Sequence, residues 1–117
     1  RYPGGKSRAI SQIISLIPDF EEYREPFVGG ASIFIALRQL FPDKKFWIND
    51  LYRELYLFWK YAQFDLESLV KQVVTWRKEF ESGKDLYYYL GKNIGEWEET
   101  KKASAFFVFN RITFSGT

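Results

Sequence analysis

The sequence predicts an α/β fold that gives way to helices, on three observations. Within the first fifty residues the patterning runs helix, strand, glycine pair, helix, strand, acid, which is the grammar of a parallel sheet with covering helices. After Asp50 the apolar residues recur at three- and four-residue spacing, and no strand pattern is convincing. The chain of 117 residues is 46% apolar and holds twelve Phe, eight Tyr and four Trp, enough to bury a core. That length sets one domain, or part of one, as the ceiling.

Residues 1–6 (RYPGGK) read as a loop, because Pro3, Gly4 and Gly5 are turn residues. Ile10, Ile13, Ile14 and Ile17 then fall at i, i+3, i+4 and i+7, the spacing of a helix that Pro18 stops. Tyr23–Val28 reads as a strand running into the Gly29-Gly30 turn. A second helix begins near Ala31 or Ser32, with Ile33, Phe34, Leu37 and Phe41 on one face and Pro42 at its end. Lys45–Asn49 (KFWIN), aromatic and β-branched, reads as a second strand closed by Asp50.

Leu51, Leu55, Phe58 and Trp59 suggest a helix directly after that acid. Asp65 can cap the next one, whose apolar face is Leu66, Leu69, Val70, Val73 and Phe80, with Gly83 as its C-terminal cap. Leu86–Leu90 reads as a short helix ending near Gly91. Thr100 to Asn110, with Ala103, Phe106, Phe107 and Phe109, is the last helical pattern. Residues 65–102 carry seven basic and eight acidic side chains, so this half is no basic arm.

Composition removes several chemistries. There is no Cys, which excludes a disulfide framework, a zinc–thiolate site and a thiol nucleophile. There is no His, which excludes Ser-His catalysis and the HExxH metal site. Seventeen basic against fifteen acidic residues give a net charge of +2, so global charge makes no case for nucleic acid. No apolar run reaches the ~18 residues of a membrane-spanning helix. The chain opens on Arg1 without an initiator Met and stops at Thr117 just after an apolar stretch, which reads as a piece of a longer protein.

Four patches can carry chemistry. In Glu25–Ser32 (EPFVGGAS) a strand feeds a glycine pair and a helix starts at once. Glycine opens backbone angles closed to other residues and lets a ligand approach the main chain, while a helix start offers unsatisfied N–H groups. The same residues also suit a tight β-to-α connection with no ligand. Asp50 follows Gly30 by twenty positions, where an acid can accept both hydroxyls of a ribose; it can equally cap the following helix. Tyr2 with Gly4-Gly5-Lys6 can close over a cofactor, or be a frayed terminus. It is no phosphate loop, because no glycine stands five residues before Gly5. In Phe106–Thr117 (FFVFNRITFSGT), Asn110 and Arg111 suit phosphates and base edges, and the Ser115-Gly116-Thr117 turn can approach a ligand. An ordinary helix end fits that patch too.

Taken in order, RYPGGK, EPFVGGAS, IND and FNRITFSG resemble the S-adenosylmethionine-dependent DNA adenine-N6 methyltransferases, the group that includes the GATC-specific DNA adenine methylase. The likeness runs from Arg1 to Thr117, with Tyr2 in the Trp place of the family's W-A-G-G-K loop. It implies a Rossmann-like methyltransferase fold, of which residues 1–54 are the cofactor-binding α/β part and residues 55–117 the start of a helical target-recognition insertion. Tyr2 and Lys6 would contact S-adenosylmethionine, Phe27, Gly29 and Gly30 would line its methionine side, and Asp50 would hold its ribose. Asn110, Arg111, Ser115 and Thr117 would face double-stranded DNA. No metal is implied. A cytoplasmic, prokaryotic or phage setting follows, with restriction-modification among its roles.

One departure matters. The family's catalytic motif is Asp-Pro-Pro-Tyr or a close variant, and the prolines here are Pro3, Pro18, Pro26 and Pro42, no two adjacent. The chain therefore carries no catalytic residue of that motif, and the parent protein is expected to methylate where these 117 residues alone do not. The competing reading is a non-catalytic α/β module that binds a nucleotide or a protein. Aromatic surface left uncovered by a missing part of the sheet would favour self-association.

Overall fold

A computed structural model describes residues 7–113. The chain divides into two compact units, between Leu51 and Tyr52.

The first unit is a β-α-β arrangement. After a 3₁₀ turn at Ser7–Ala9, α1 spans Ile10–Ser15, β1 Glu22–Glu25, α2 Ser32–Leu40 and β2 Lys45–Ile48. The strands pair in parallel, Glu22 opposite Lys45 through Glu25 opposite Ile48. Parallel neighbours need a crossover, and α2 supplies it. Alternation sets the faces: Tyr23, Glu25, Phe46 and Ile48 are covered, while Glu22, Arg24, Lys45 and Trp47 are exposed. Val28, Ala31, Ile33 and Leu37 form the buried apolar residues. Beside them Phe20 meets Phe41 edge-on at 5.6 Å, and Phe34 meets Phe46 likewise at 5.5 Å. Such edge-to-face contacts add a little beyond area burial.

β1 is shorter than the strand expected over Tyr23–Val28. Pro26 has no N–H to give to a ladder, so regular pairing ends at Glu25. Two further main-chain bonds nevertheless carry the register on. The Asn49 amide donates to the Glu25 carbonyl at 2.9 Å, and the Val28 amide to the Asn49 carbonyl at 2.9 Å.

The second unit is helical: α3 (Arg53–Phe64), α4 (Leu66–Glu79), α5 (Gly83–Asn93), a 3₁₀ turn at Ile94–Glu96, and α6 (Glu99–Ile112). α6 packs against α3, α4 and α5. Ala103, Ser104 and Ala105 are fully buried on it, and their small size lets neighbouring backbones approach. The Ser104 hydroxyl donates to the Thr100 carbonyl at 3.0 Å, one turn back. Around α6 sit two clusters, Trp76, Leu86, Leu90, Ala105 and Val108, and Leu57, Leu69 and Ala103. Trp76 stacks on Trp97 at 5.4 Å, and the Lys101 ammonium lies 4.3 Å from the centre of the Trp97 ring. Glu99 ties α6 to α3, accepting from Tyr61 Oη at 2.8 Å and from Arg53 at 3.0 Å.

Asp65 caps α4 as expected, accepting from the Ser68 amide at 3.3 Å. Gly83 does not. α4 ends at Glu79 with Phe80 extended behind it, and Gly83 opens α5, where the Ser82 hydroxyl accepts from the Lys84 amide at 3.2 Å. The three-residue connection Phe80-Glu81-Ser82 is taken up by the α4 end and the Ser82 cap, which leaves no separate glycine cap. α5 also runs through Gly91 to Asn93, with buried Leu86 and Leu90 before the glycine and half-buried Ile94 after it packed into one cluster. Leu66 and Val70 lie exposed at the margin of the α4 stripe, not within it.

Candidate functional site

The site expected from the sequence begins at the ends of the two parallel strands, the edge at which α/β sheets bind ligands. Beyond β1 the chain turns sharply. The Ala31 amide donates to the Val28 carbonyl at 2.8 Å, closing a four-residue turn over Val28–Ala31. Gly29 takes a φ of 50°, a left-handed angle open to glycine. Gly30 does not share it. The second left-handed residue is Ala31, with a φ of 59°, and it is fully buried. A residue with a Cβ seldom adopts that angle, so the turn holds Ala31 there against its preference.

Ala31 is also the residue before α2, and no side chain among the described residues caps that helix. Its first turn carries no acid. The start of α2 therefore presents its amides without a carboxylate of its own element competing for them.

Asp50 is brought to this turn. Its Oδ2 accepts a hydrogen bond from the Gly29 amide at 3.0 Å. The geometry follows from the ladder: with Val28 bonded to Asn49, the next residues on each strand, Gly29 and Asp50, fall opposite one another. Phe27, on the adjoining turn, is about two-thirds exposed at 66%.

Glu25, the first residue of the EPFVGG segment, is buried and accepts from the Tyr23 hydroxyl at 3.1 Å. Burial, and then the Glu25 charge and that hydrogen bond, push the Tyr23 phenol from 10.0 up to about 12. The sequence reading gave Glu25 no role. Its signal was an acid on the covered face of a strand, two positions from a tyrosine on the same face.

The structure thus brings Gly29, Gly30 and Asp50 together, with Phe27 on the adjoining turn. Tyr2 and Lys6 lie outside the described residues, as do Ser115 and Thr117. Asn110 and Arg111 stand on the last turn of α6. Arg111 is exposed, its guanidinium 5.6 Å from the centre of the Phe107 ring. Asn110 Oδ1 is buried and meets no donor among the described residues. Among the described residues no group of three or more Asp and Glu side chains is placed to hold a metal ion.

A β-α-β unit with a glycine turn and a carboxylate at its strand ends is an arrangement that nucleoside-binding α/β proteins also use. Comparison with known proteins narrows the class. Residues 2–117 match the model of the D12 class N6 adenine-specific DNA methyltransferases, and the chain belongs to that family. It is similar to the type II methyltransferase M.MjaIII of Methanocaldococcus jannaschii, 30% identical over 131 residues covering 99% of this chain and 45% of that protein. A DNA adenine methylase of Vibrio cholerae is 22% identical over 117 residues, 99% of this chain and 41% of the relative. A DNA N-6-adenine-methyltransferase of Escherichia phage P1 is 26% identical over 117 residues, 99% of this chain and 15% of the relative. The chain spans less than half the length of each of these relatives.

Proposed function

We propose that the whole protein transfers a methyl group from S-adenosyl-L-methionine to the N6 amino group of adenine in double-stranded DNA, as a Rossmann-like methyltransferase. Residues 1–54 form its cofactor-binding part and residues 55–117 the start of its target-recognition part. The observation that carries this reading is the Gly29–Asp50 hydrogen bond of 3.0 Å. Two patches separated in sequence and chosen for one ligand meet in space, in a member of an adenine-specific family.

The residues present fit the cofactor by their chemistry. Asp50, beside a backbone turn without a Cβ at Gly29 or Gly30, offers acceptors to the ribose hydroxyls where the main chain can come close. The start of α2 offers N–H groups to a carboxylate. Phe27 offers an exposed ring, and Tyr2 and Lys6 complete the set from the N-terminal loop. Bound there, the cofactor supplies an electrophilic methyl on a sulfonium. Held by these residues, it would present that methyl to the adenine amino nitrogen. The groups that hold the flipped adenine belong to the acid-Pro-Pro-aromatic motif, which has no counterpart among Pro3, Pro18, Pro26 and Pro42. This chain's share is therefore binding and orientation, and Asn110, Arg111, Ser115 and Thr117 are its DNA-facing candidates. Relatives from an archaeon, a bacterium and a phage support a cytoplasmic setting in a prokaryotic or phage-infected cell.

Calorimetric titration of the chain with S-adenosylmethionine, S-adenosylhomocysteine, NAD and ATP tests the reading. Preference for the two adenosyl-sulfur ligands, lost in Asp50→Ala, supports it. Preference for NAD or ATP points to a different nucleotide binder and rejects it.

A further inference from the structure

Arg77 sits within an apolar stripe. On α4, Val73, Arg77 and Phe80 fall at i, i+4 and i+7 and share one face. On α6, Phe107 and Val108 precede Arg111 by four and three positions and share its face. The two stripes border one pocket of about 350 Å³, open to solvent on one side, at the last turns of α4 and α6 and the start of α5. Val73, Phe80, Leu86, Phe107, Val108 and Ile112 give it carbon walls. Arg77 and Arg111 are the charged residues of its lining, and no Asp or Glu lies among the walls. Both arginines are exposed, and neither is ion-paired among the described residues. Glu81 and Asp85, the nearest acids in sequence to its α5 side, stand outside the lining.

A single arginine on a carbon stripe needs no ligand, since its stem covers apolar surface while its head stays wet. Two, from different helices, at one cavity without a carboxylate ask for an anion. The pocket's size is at the lower end of small-molecule sites, roughly 300–1,000 Å³. Phe80 and Phe107 offer ring contact, and planar guanidinium groups match phosphate. A carboxylate amphiphile would fill the carbon but bring a single anionic group to the two guanidinium groups. A nucleotide within a strand has a ring and a phosphate on either side of it.

We propose that this pocket holds one unpaired nucleotide of a nucleic-acid strand, its base against the carbon walls and its flanking phosphates on Arg77 and Arg111. The identity of the strand as DNA rests on the function proposed above. Ser82 is the one wall residue with a side-chain hydroxyl, so the base is held by stacking and its polar edge faces the open side. Sequence preference is accordingly weak.

The test uses the full 117-residue chain, ¹⁵N-labelled, titrated with the trinucleotide pTpTpT, with thymidine, with inorganic phosphate and with decanoate. The Gly83, Phe107 and Ile112 amides report. The trinucleotide is expected to bind at least about tenfold tighter than the other three, and Arg77→Gln and Arg111→Gln each to weaken it about tenfold. Gly83→Leu should block it. A Cβ at Gly83 would lie 3.7 Å from Ile112 Cβ, an ordinary contact, so the larger side chain enters the cavity without a clash at its root. Thymidine or decanoate binding as tightly as the trinucleotide overturns the proposal, as does an Arg77→Gln chain with unchanged amide dispersion and unchanged trinucleotide affinity. A parallel titration with S-adenosylmethionine separates the two readings. Cofactor binding without trinucleotide binding rejects the pocket alone, and the reverse rejects the cofactor site alone.

Discussion

Asp50 Oδ2 accepts the Gly29 amide at 3.0 Å across 21 positions of sequence. The bond joins the turn after β1 to the end of β2, so this one carboxylate holds the glycine turn at the place proposed for the ribose. Asp50→Ala should therefore lower affinity for S-adenosylmethionine by about tenfold or more, the scale of a lost charged hydrogen bond. Asp50→Asn keeps an acceptor for Gly29 and should lose less. Calorimetry on the three chains checks the order, and equal affinities would remove Asp50 from the site.

Gly29 and Ala31 predict opposite responses. Gly29→Ala forces a Cβ into a φ of 50° and should cost about 1–2 kcal/mol. Ala31→Gly relieves the same strain at a φ of 59° but gives up a buried methyl, so the terms offset and stability should change by less than about 1 kcal/mol. Urea denaturation of both variants decides it. A larger loss for Ala31→Gly than for Gly29→Ala would contradict the assignment of strain.

Much of this arrangement was legible in the sequence, for identifiable reasons. The glycine pair marked the end of the first strand, aromatic and β-branched residues marked the second, and Pro18 and Pro42 marked where the neighbouring helices stop. The glycine pair and the acid announced the turn. The choice between Gly30 and Ala31 for the second left-handed angle was not legible, because it depends on how Val28 and Asn49 pair across β1 and β2. Gly83 misled because a glycine suits a helix end and a helix start alike, and only the Ser82 cap decides between them. Arg77 was readable at i+4 from Val73, but its meeting with Arg111 at one cavity depends on how α6 packs against α4 and α5. Tyr23 and Glu25 required the covered face of β1 to be known.

The Tyr23 phenol, raised to about 12 from 10.0 by burial first and Glu25 second, links stability to alkaline pH. Its neutral form is favoured by folding. The stabilisation is whole below pH 10, the unfolded value, and disappears as pH climbs from 10 to about 12. Urea midpoints at half-unit steps over that window should fall more steeply for the parent chain than for Tyr23→Phe. Parallel profiles would remove Tyr23 as the cause.

Glu99 responds at the other end of the scale. The Tyr61 hydrogen bond, followed by the nearby Lys60, Arg53 and Lys102 charges, holds its carboxyl below 4.5 despite partial desolvation. The folded state thus prefers the charged form. Its contribution is present above pH 4.5 and lost as pH falls below that value through the depressed folded one. Glu99→Gln should flatten the acid limb of the helical unit's melting temperature. An unchanged acid limb would show that the α3–α6 tie adds nothing.

Trp76→Ala should destabilise the helical unit by about 3–5 kcal/mol, since the ring is almost wholly buried between Leu86, Leu90 and Val108. Thermal melting followed at 222 nm, a wavelength at which helices dominate the signal, measures it. A loss under about 1 kcal/mol would mean the unit repacks around the vacancy.

The stacking of Trp76 on Trp97 also equips the molecule with an optical gauge. Two indoles held 5.4 Å apart in one fixed arrangement should give near-ultraviolet dichroism that is lost when the rings part. Trp47, exposed on the sheet, emits instead as a hydrated indole. Dichroism in that band and quenching by iodide therefore watch different ends of the chain, and ligand at the glycine turn can be distinguished from ligand among the helices without any added dye.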